Sequence, residues 1–429
     1  MNILMMTNTF TPHVGGVARS VAGFTAEYRK RGHRVLVVTP EFNNMPANEV
    51  DVVRIPAIQN FNGSDFSVVL PVSGFLSSAI EEFKPDIVHS HHPFLIGSTA
   101  LRIAHMHQLP LVFTHHTMYE QYTHYVPGDS KAMQRFVIKL STSYANLCDQ
   151  VFAPSESIAT VLRKRGVKIP LAVIPTGVHL ERFAQGDGQP FRARMNIPQD
   201  AFVVGHLGRL APEKNLEFLA QALVTFGKSD KRAHFLIVGE GPSKHDIRRI
   251  FSQAGISERL HMVGILEHND LISAYCAMDV FAFTSKSETQ GMVLVEAMAA
   301  GVPVVALDAP GVREVVVDYK NGRLLTDENV IEFSSALQWL TLLPSEKLLQ
   351  LKQHVAKTAD AFSMSRSVDK ALEHFEKLLD QAFISREGEY STWSATLHLI
   401  QTEWDLLKSM AGAAGAALNI VQTKNKIEE

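Results

Sequence analysis

The chain has 429 residues, more than a single hydrophobic core ordinarily holds, which sets an expectation of two domains. Apolar residues make up 46% and charged residues 20%, the mix of a soluble globular protein. No apolar run nears the roughly 18 residues of a spanning helix, and a net charge of −3 gives no support to a nucleic-acid partner.

The opening Met1-Asn2-Ile3-Leu4 lacks a basic region and a cleavage site, so no secretory signal is expected. Cys148 and Cys276 lie far apart without metal spacing and read as reduced residues of a cytosolic protein. Asn2–Thr7 reads as an apolar strand, followed by a loop and a helix over Val17–Arg31, with Gly32 where a helix stops. Arg34–Thr39, Ile87–Ser90, Leu111–Thr114, Gln150–Ala153 and Ala172–Ile174 read as further strands. Strands that alternate with helices predict a parallel sheet covered on both faces. The turn Ile174-Pro175-Thr176-Gly177-Val178 ends this set, and the rhythm restarts. Phe202–His206, Phe235–Val238, Leu260–Val263, Val280–Thr284 and Val304–Ala306 are the strands of a second sheet.

Two doubly wound α/β domains are therefore expected, over 1–175 and 176–364, facing across a cleft with the carboxyl ends of their strands. A helix over 365–384 carries Leu372, Phe375, Leu378 and Leu379 on one face. In the 385–429 extension, Trp393, Leu397, Ile400, Trp404 and Leu407 form one helical stripe, for packing, a subunit contact or a membrane surface.

Four groups of residues offer chemistry. Gly15-Gly16-Val17 follows a strand and a loop and opens a helix, where a backbone without side chains admits an anion. Gly208-Arg209-Leu210-Ala211-Pro212-Glu213-Lys214-Asn215 sits at a strand end, where Arg209 and Lys214 can meet over a diphosphate; the plain alternative is two solvated surface cations. Glu288-Thr289-Gln290-Gly291-Met292 leads into a helix carrying Glu296 two turns in. Glu288 suits sugar hydroxyls, the amides of Thr289 to Met292 face the same space, and Glu296 suits ribose hydroxyls or a structural ion pair. Histidines cluster at His89, His91, His92, His115 and His116; without an Asp-x-Asp or cysteine cluster, no metal site is expected, and His116 reads as a hydrogen-bond partner of a sugar or as a core histidine.

These motifs, combined with the eight-residue spacing of Glu288 and Glu296 and the hinge at Ile174–Val178, resemble glycosyltransferase family 4, over about residues 1–384. The resemblance implies a GT-B fold of two Rossmann-like domains, the first binding the acceptor and the second the nucleotide sugar. It implies a nucleoside-diphosphate sugar as co-substrate, retention of anomeric configuration and no metal cofactor. By the same resemblance the helix over 365–384 crosses back to the first domain. Gly15, Gly16, Arg209 and Lys214 hold the donor diphosphate; Glu288, with Thr289, Gln290, Gly291 and Met292, faces the donor sugar; Glu296 holds the ribose; and His116 lies beside the sugar, so that His116, Arg209, Lys214 and Glu288 form the catalytic set.

Thr289-Gln290-Gly291, where the family usually has Gly-Phe-Gly, and the run from His116 to Pro127 resemble the branch that glycosylates diacylglycerol. Tyr119, Tyr122, His124 and Tyr125 are then acceptor residues, and Lys131, Arg135 and Lys139 form a basic stripe for anionic lipid. The expected function is transfer of a hexose from UDP-glucose to diacylglycerol by a cytoplasmic enzyme, peripheral on the inner face of the cytoplasmic membrane. The alternatives are a GDP-mannose donor, a soluble acceptor such as a sugar phosphate or inositol derivative, a nucleotide-sugar 2-epimerase, and a non-catalytic sugar-nucleotide-binding protein.

Overall fold

The computed structural model describes residues 1–13, 15–58, 68–69, 74–121, 130–286 and 288–386. The chain divides into two compact units, one of Met1–Pro175 with the chain from Ser367 onward, the other of Thr176–Arg366.

The first unit contains β1 (Asn2–Met6), α1 (Gly16–Lys30), β2 (Arg34–Pro40), β3 (Val52–Ile55), β4 (Ala57–Ile58), β5 (Val68–Val69), α2 (Gly74–Phe83), β6 (Ile87–Ser90) and α3 (Ile96–Met106). It continues with β7 (Leu111–Thr114), α4 (Lys131–Ala145), β8 (Gln150–Ala153), α5 (Glu156–Lys164) and β9 (Leu171–Val173). Seven strands form a parallel sheet in the order β3-β2-β1-β6-β7-β8-β9, while β4 and β5 pair separately and antiparallel. A parallel sheet covered by helices on both faces needs apolar residues on both sides of each strand. Ile3 to Met6 accordingly have no exposure at all. Strand order reverses between β1 and β6, and such a reversal opens a crevice beyond the carboxyl ends of the two strands.

The second unit contains α6 (Leu180–Phe183), α7 (Gly188–Arg194), β10 (Phe202–Leu207), α8 (Leu216–Ser229), β11 (Ala233–Val238), α9 (Lys244–Gln253), β12 (Leu260–Gly264) and α10 (His268–Cys276). After these come β13 (Val280–Phe283), α11 (Met292–Ala299), β14 (Val304–Leu307), β15 (Gly322–Leu325), α12 (Val330–Thr341) and α13 (Ser345–Ala361). Its six-stranded parallel sheet has the order β12-β11-β10-β13-β14-β15. Here the order reverses between β10 and β13. The two charged motifs, Gly208–Asn215 and Glu288–Met292, follow those two strands.

A last helix, α14 (Met364–Arg386), joins the first unit from Ser367. Phe375 is fully buried there, stacked on Phe152 with ring centroids 5.9 Å apart and tilted against Tyr28 at 5.8 Å. An ion pair of 2.9 Å between Arg31 and Asp369 reinforces the seat. The sheets also hold strands absent from the sequence reading, β3 to β5 and β15, and Glu296 is the fifth residue of α11, one turn into the helix instead of two. The stripe from Trp393 to Leu407 falls outside the described residues.

Candidate functional site

In the second unit, three strand-end loops are laced together at the reversal of strand order. The amide of Gly208 donates to the Val238 carbonyl at 3.0 Å, that of Leu210 to Glu240 at 2.9 Å, and that of Ser243 to Leu210 at 2.9 Å. The backbones approach so closely that a Cβ on Gly239 would lie 1.9 Å from the Gly208 carbonyl oxygen, and Gly239 itself has φ +133. Thr284, just past β13, donates its hydroxyl to the carbonyl of Lys214 at 3.0 Å. The loops after β10 and β11 are thus pinned to each other by backbone contacts, and the Thr284 hydroxyl ties the end of β13 to the same loop, so that their side chains point from a fixed frame.

From that frame the structure brings Lys214 and Glu288 together. The Lys214 ammonium lies 2.5 Å from Glu288 Oε1, and the two side chains are only 18% and 16% exposed. Arg209 is 46% exposed and holds Glu213, also at 2.5 Å. Two cations, each paired with a carboxylate, stand at the carboxyl ends of the central strands and suit a diphosphate bearing a polyhydroxyl group. Cations offset its charge and a carboxylate accepts from its hydroxyls.

Past Glu288 the chain passes Thr289 and Gln290 and enters α11 through Gly291, which has φ +70. No acidic residue occupies the first turn of α11, so its amides are presented to an anion without a competing carboxylate. Met292, the first helical residue, is half-buried. Gln290 does something the sequence did not suggest. Its side-chain carbonyl accepts from the Thr176 amide and its side-chain amide donates to the Thr176 carbonyl, both at 2.6 Å. The Gln290 side chain is therefore a clamp on the turn at Thr176. Glu296 is buried, and its Oε2 accepts from the Tyr275 hydroxyl at 2.7 Å. Tyr275, on α10, is thus one partner of Glu296, a role that residue type alone does not signal.

The first unit assembles its own group at the reversal between β1 and β6. Gly15 precedes α1 in extended conformation, and a Cβ added at Gly16 would meet nothing within 4 Å, so the start of α1 is open. The loop after β1 is anchored by Arg54, which donates to the Thr11 carbonyl at 2.5 Å while paired with Glu49 at 2.7 Å, and by the Asn8 amide, which donates to His92 Nδ1 at 3.1 Å.

Behind this loop stand the histidines. His89 Nε2 lies 2.7 Å from the Thr114 hydroxyl, and His91 Nδ1 lies 2.9 Å from His116 Nε2. Burial pushes His89 down to about 3 and His115 to about 4, and holds His91 and His116 well below the usual histidine range. These rings are neutral hydrogen-bonding groups, not cations. Tyr119 packs its ring against His115 and Phe94, at 5.6 and 5.0 Å between centroids. Tyr122, His124 and Tyr125 fall outside the described residues. Among the described residues, no group of three His, Cys, Asp or Glu is placed to hold a metal ion.

Comparison with known proteins gives consistent results for both units. Residues 14–182 match the family model described as Glycosyltransferase Family 4, and residues 188–358 match Glycosyl transferases group 1. The chain is 30% identical over 342 residues to the alpha-monoglucosyldiacylglycerol synthase of Acholeplasma laidlawii, covering 75% of this chain and 84% of that protein. It is 27% identical over 346 residues to a GDP-mannose-dependent alpha-mannosyltransferase of Corynebacterium glutamicum, covering 79% of each. Among solved structures, the Anabaena protein HepE in complex with UDP shares the fold, with a TM-score of 0.69 at 20% identity over 88% of this chain and all of that one.

Proposed function

The chain belongs to glycosyltransferase family 4, with the GT-B fold, and from that premise we propose that it transfers glucose from UDP-glucose to the free hydroxyl of diacylglycerol, with retention of anomeric configuration. The observation that carries the donor half is the Lys214–Glu288 pair at the reversal of strand order in the second unit. On this reading, the donor diphosphate takes over Lys214 and engages Arg209 and the amides that open α11. Glu288, released from the lysine, accepts from the sugar hydroxyls, and Glu296, oriented by Tyr275, accepts from the ribose. Gly15 and Gly16 at the open start of α1 add backbone donors for the same diphosphate, and His116 hydrogen-bonds the sugar.

In the reaction, the bond from the anomeric carbon to the diphosphate oxygen breaks and a bond to the acceptor oxygen forms. The acceptor proton passes to a phosphate oxygen of the donor, so no protein base is required. Arg209 and Lys214 stabilise the negative charge gathering on the departing UDP.

Support for the acceptor comes from a lipid-glycosylating relative at 30% identity and from the composition of the segment after His116. Tyr119, Tyr122, His124 and Tyr125 are aromatic or amphipathic, as a lipid headgroup region requires. On α4, Lys131 and Lys139 are exposed and Arg135 is half-buried, and this stripe suits an anionic surface, at about 1 kcal/mol per charge. The contact of that stripe is read as peripheral, on the cytoplasmic face; among the described residues no helix is long and apolar enough to cross a membrane.

Calorimetric titration of UDP and of GDP tests the donor half. UDP is expected to bind, and to bind more weakly to Lys214→Ala. Binding of GDP in its place would replace the donor base and favour a mannose donor.

A further inference from the structure

β6 and β7 run side by side in register, Ser90 opposite Phe113, so the residues just beyond them leave neighbouring strand ends. His91 and His116 do so with their rings edge to edge, 5.2 Å between centroids and 25° between planes, and with His91 Nδ1 2.9 Å from His116 Nε2. His91 is 1% exposed and His116 9%. The centroid of the His89 ring lies 4.1 Å from that of His91, with 40° between the planes. The remaining nitrogen of His91, Nε2, is buried and has no hydrogen-bond partner among the described residues.

One proton serves the bond between two neutral imidazoles, and each neutral ring carries one N–H. Two arrangements satisfy this. If His116 donates from Nε2, then His91 must carry its own proton on Nε2, as a buried donor that nothing accepts. If His91 donates from Nδ1, its Nε2 is a bare lone pair, and the proton of His116 lies on Nδ1. Buried N–H groups without an acceptor are rarer than buried acceptors without a donor. The second arrangement is therefore favoured, and it leaves His116 with an N–H at the end not held by His91.

We propose that His91 is a positioning residue: by donating its Nδ1–H to Nε2 of His116 it fixes the orientation of that ring and its Nδ1–H tautomer, so that His116 meets its ligand as a hydrogen-bond donor. The tautomer of a histidine is set by the bond its other nitrogen makes. A donor at this position suits a ligand oxygen that accepts: a hydroxyl oxygen of the donor sugar, or an oxygen gaining negative charge as transfer proceeds. A bare nitrogen would suit only an O–H. The role of the pair in turnover rests on the reading of His116 as the neighbour of the sugar; the protonation of the pair does not.

The test joins a spectroscopic and a kinetic readout on the full chain. Histidine side-chain nitrogens are labelled, and the His116 signals are assigned by their loss in His116→Gln. The wild-type protein is expected to show His116 as the Nδ1–H tautomer. His91→Leu should mix the tautomers and lower kcat by about 10–100-fold, the scale on which a partner orienting a functional histidine acts. The KM for UDP-glucose and the unfolding midpoint should change little. His91→Asn, whose side-chain amide can still donate, should recover most of kcat and the single tautomer. An Nε2–H tautomer in the wild type would overturn the proposal. So would a folded His91→Leu with unchanged kcat. Full turnover in His116→Ala would remove the reading of His116 and the positioning role with it, while the observed tautomer would still decide the assignment of the proton.

Discussion

The Lys214 ammonium rests on Glu288, and both side chains are largely closed to water. A donor diphosphate outcompetes a single carboxylate for the lysine because it carries more charge and more acceptor oxygens. Lys214→Ala is therefore expected to lower turnover by roughly 10²–10³, the scale for loss of one charge-stabilising donor, in a steady-state assay of UDP release. Near-normal turnover would detach Lys214 from the chemistry. Gln290 gives a prediction of another kind. Gln290→Leu would remove both of these hydrogen bonds to buried Thr176, at a cost of about 1–3 kcal/mol, read as a lower urea midpoint. An unchanged midpoint would mean that the clamp contributes nothing. Lys214 and Glu288 were legible as site candidates because each follows a strongly apolar strand, and strand ends are where ligands bind in such sheets. The clamp was not legible: Gln290 and Thr176 lie 114 residues apart, and a side-chain amide carries no mark of the backbone it will hold.

The loops after β10 and β11 act as one element because their backbones touch. Gly239→Ala would place a methyl group 1.9 Å from the Gly208 carbonyl at a φ of +133, which must push the two loops apart. UDP affinity, measured by titration, should fall at least tenfold, about 1.4 kcal/mol, while helical content by circular dichroism is kept; unchanged affinity would separate this crossing from the binding frame. The histidines at the ends of β6 and β7 predict a pH dependence for the first unit. His89 and His115 titrate at about 3 and about 4 in the folded chain, against 6.5 when unfolded. Above pH 6.5 both states are neutral and the residues contribute nothing. As pH falls below 6.5 the unfolded chain takes up protons that the folded one refuses, so stability declines by up to about 1.4 kcal/mol per pH unit for each residue, until the folded values are reached. Urea midpoints at pH 7, 6 and 5 should fall in that order, and a flat series would contradict it. The central strands were legible as continuous apolar runs. β3 and β15 were not, because each lies at a sheet edge and mixes polar residues among apolar ones: Arg54 in the first, and Gly322 with Arg323 in the second.

Across the whole molecule, the repeated strand–helix rhythm gave away two parallel sheets, and the joint presence of the four motifs gave away the family, which both family models match. The helix that seats Phe375 against Phe152 and Tyr28 was legible from its apolar face, although its contacts were not. The nucleotide base and the sugar left no clear trace in the sequence, because backbone atoms and apolar surfaces can read a base, and hexoses differ by the orientation of single hydroxyls. Solution chemistry settles both. The purified protein is incubated with labelled UDP-glucose or labelled GDP-mannose, each with and without diacylglycerol in partly anionic liposomes, and label is followed into the organic phase and nucleotide into the aqueous phase. The account predicts lipid-soluble label and free UDP from UDP-glucose, only when diacylglycerol is present. Nucleotide release without lipid label would refute the acceptor, lipid-soluble label from GDP-mannose alone would refute the donor, and silence from both donors in a folded protein would contradict the proposed reaction as a whole.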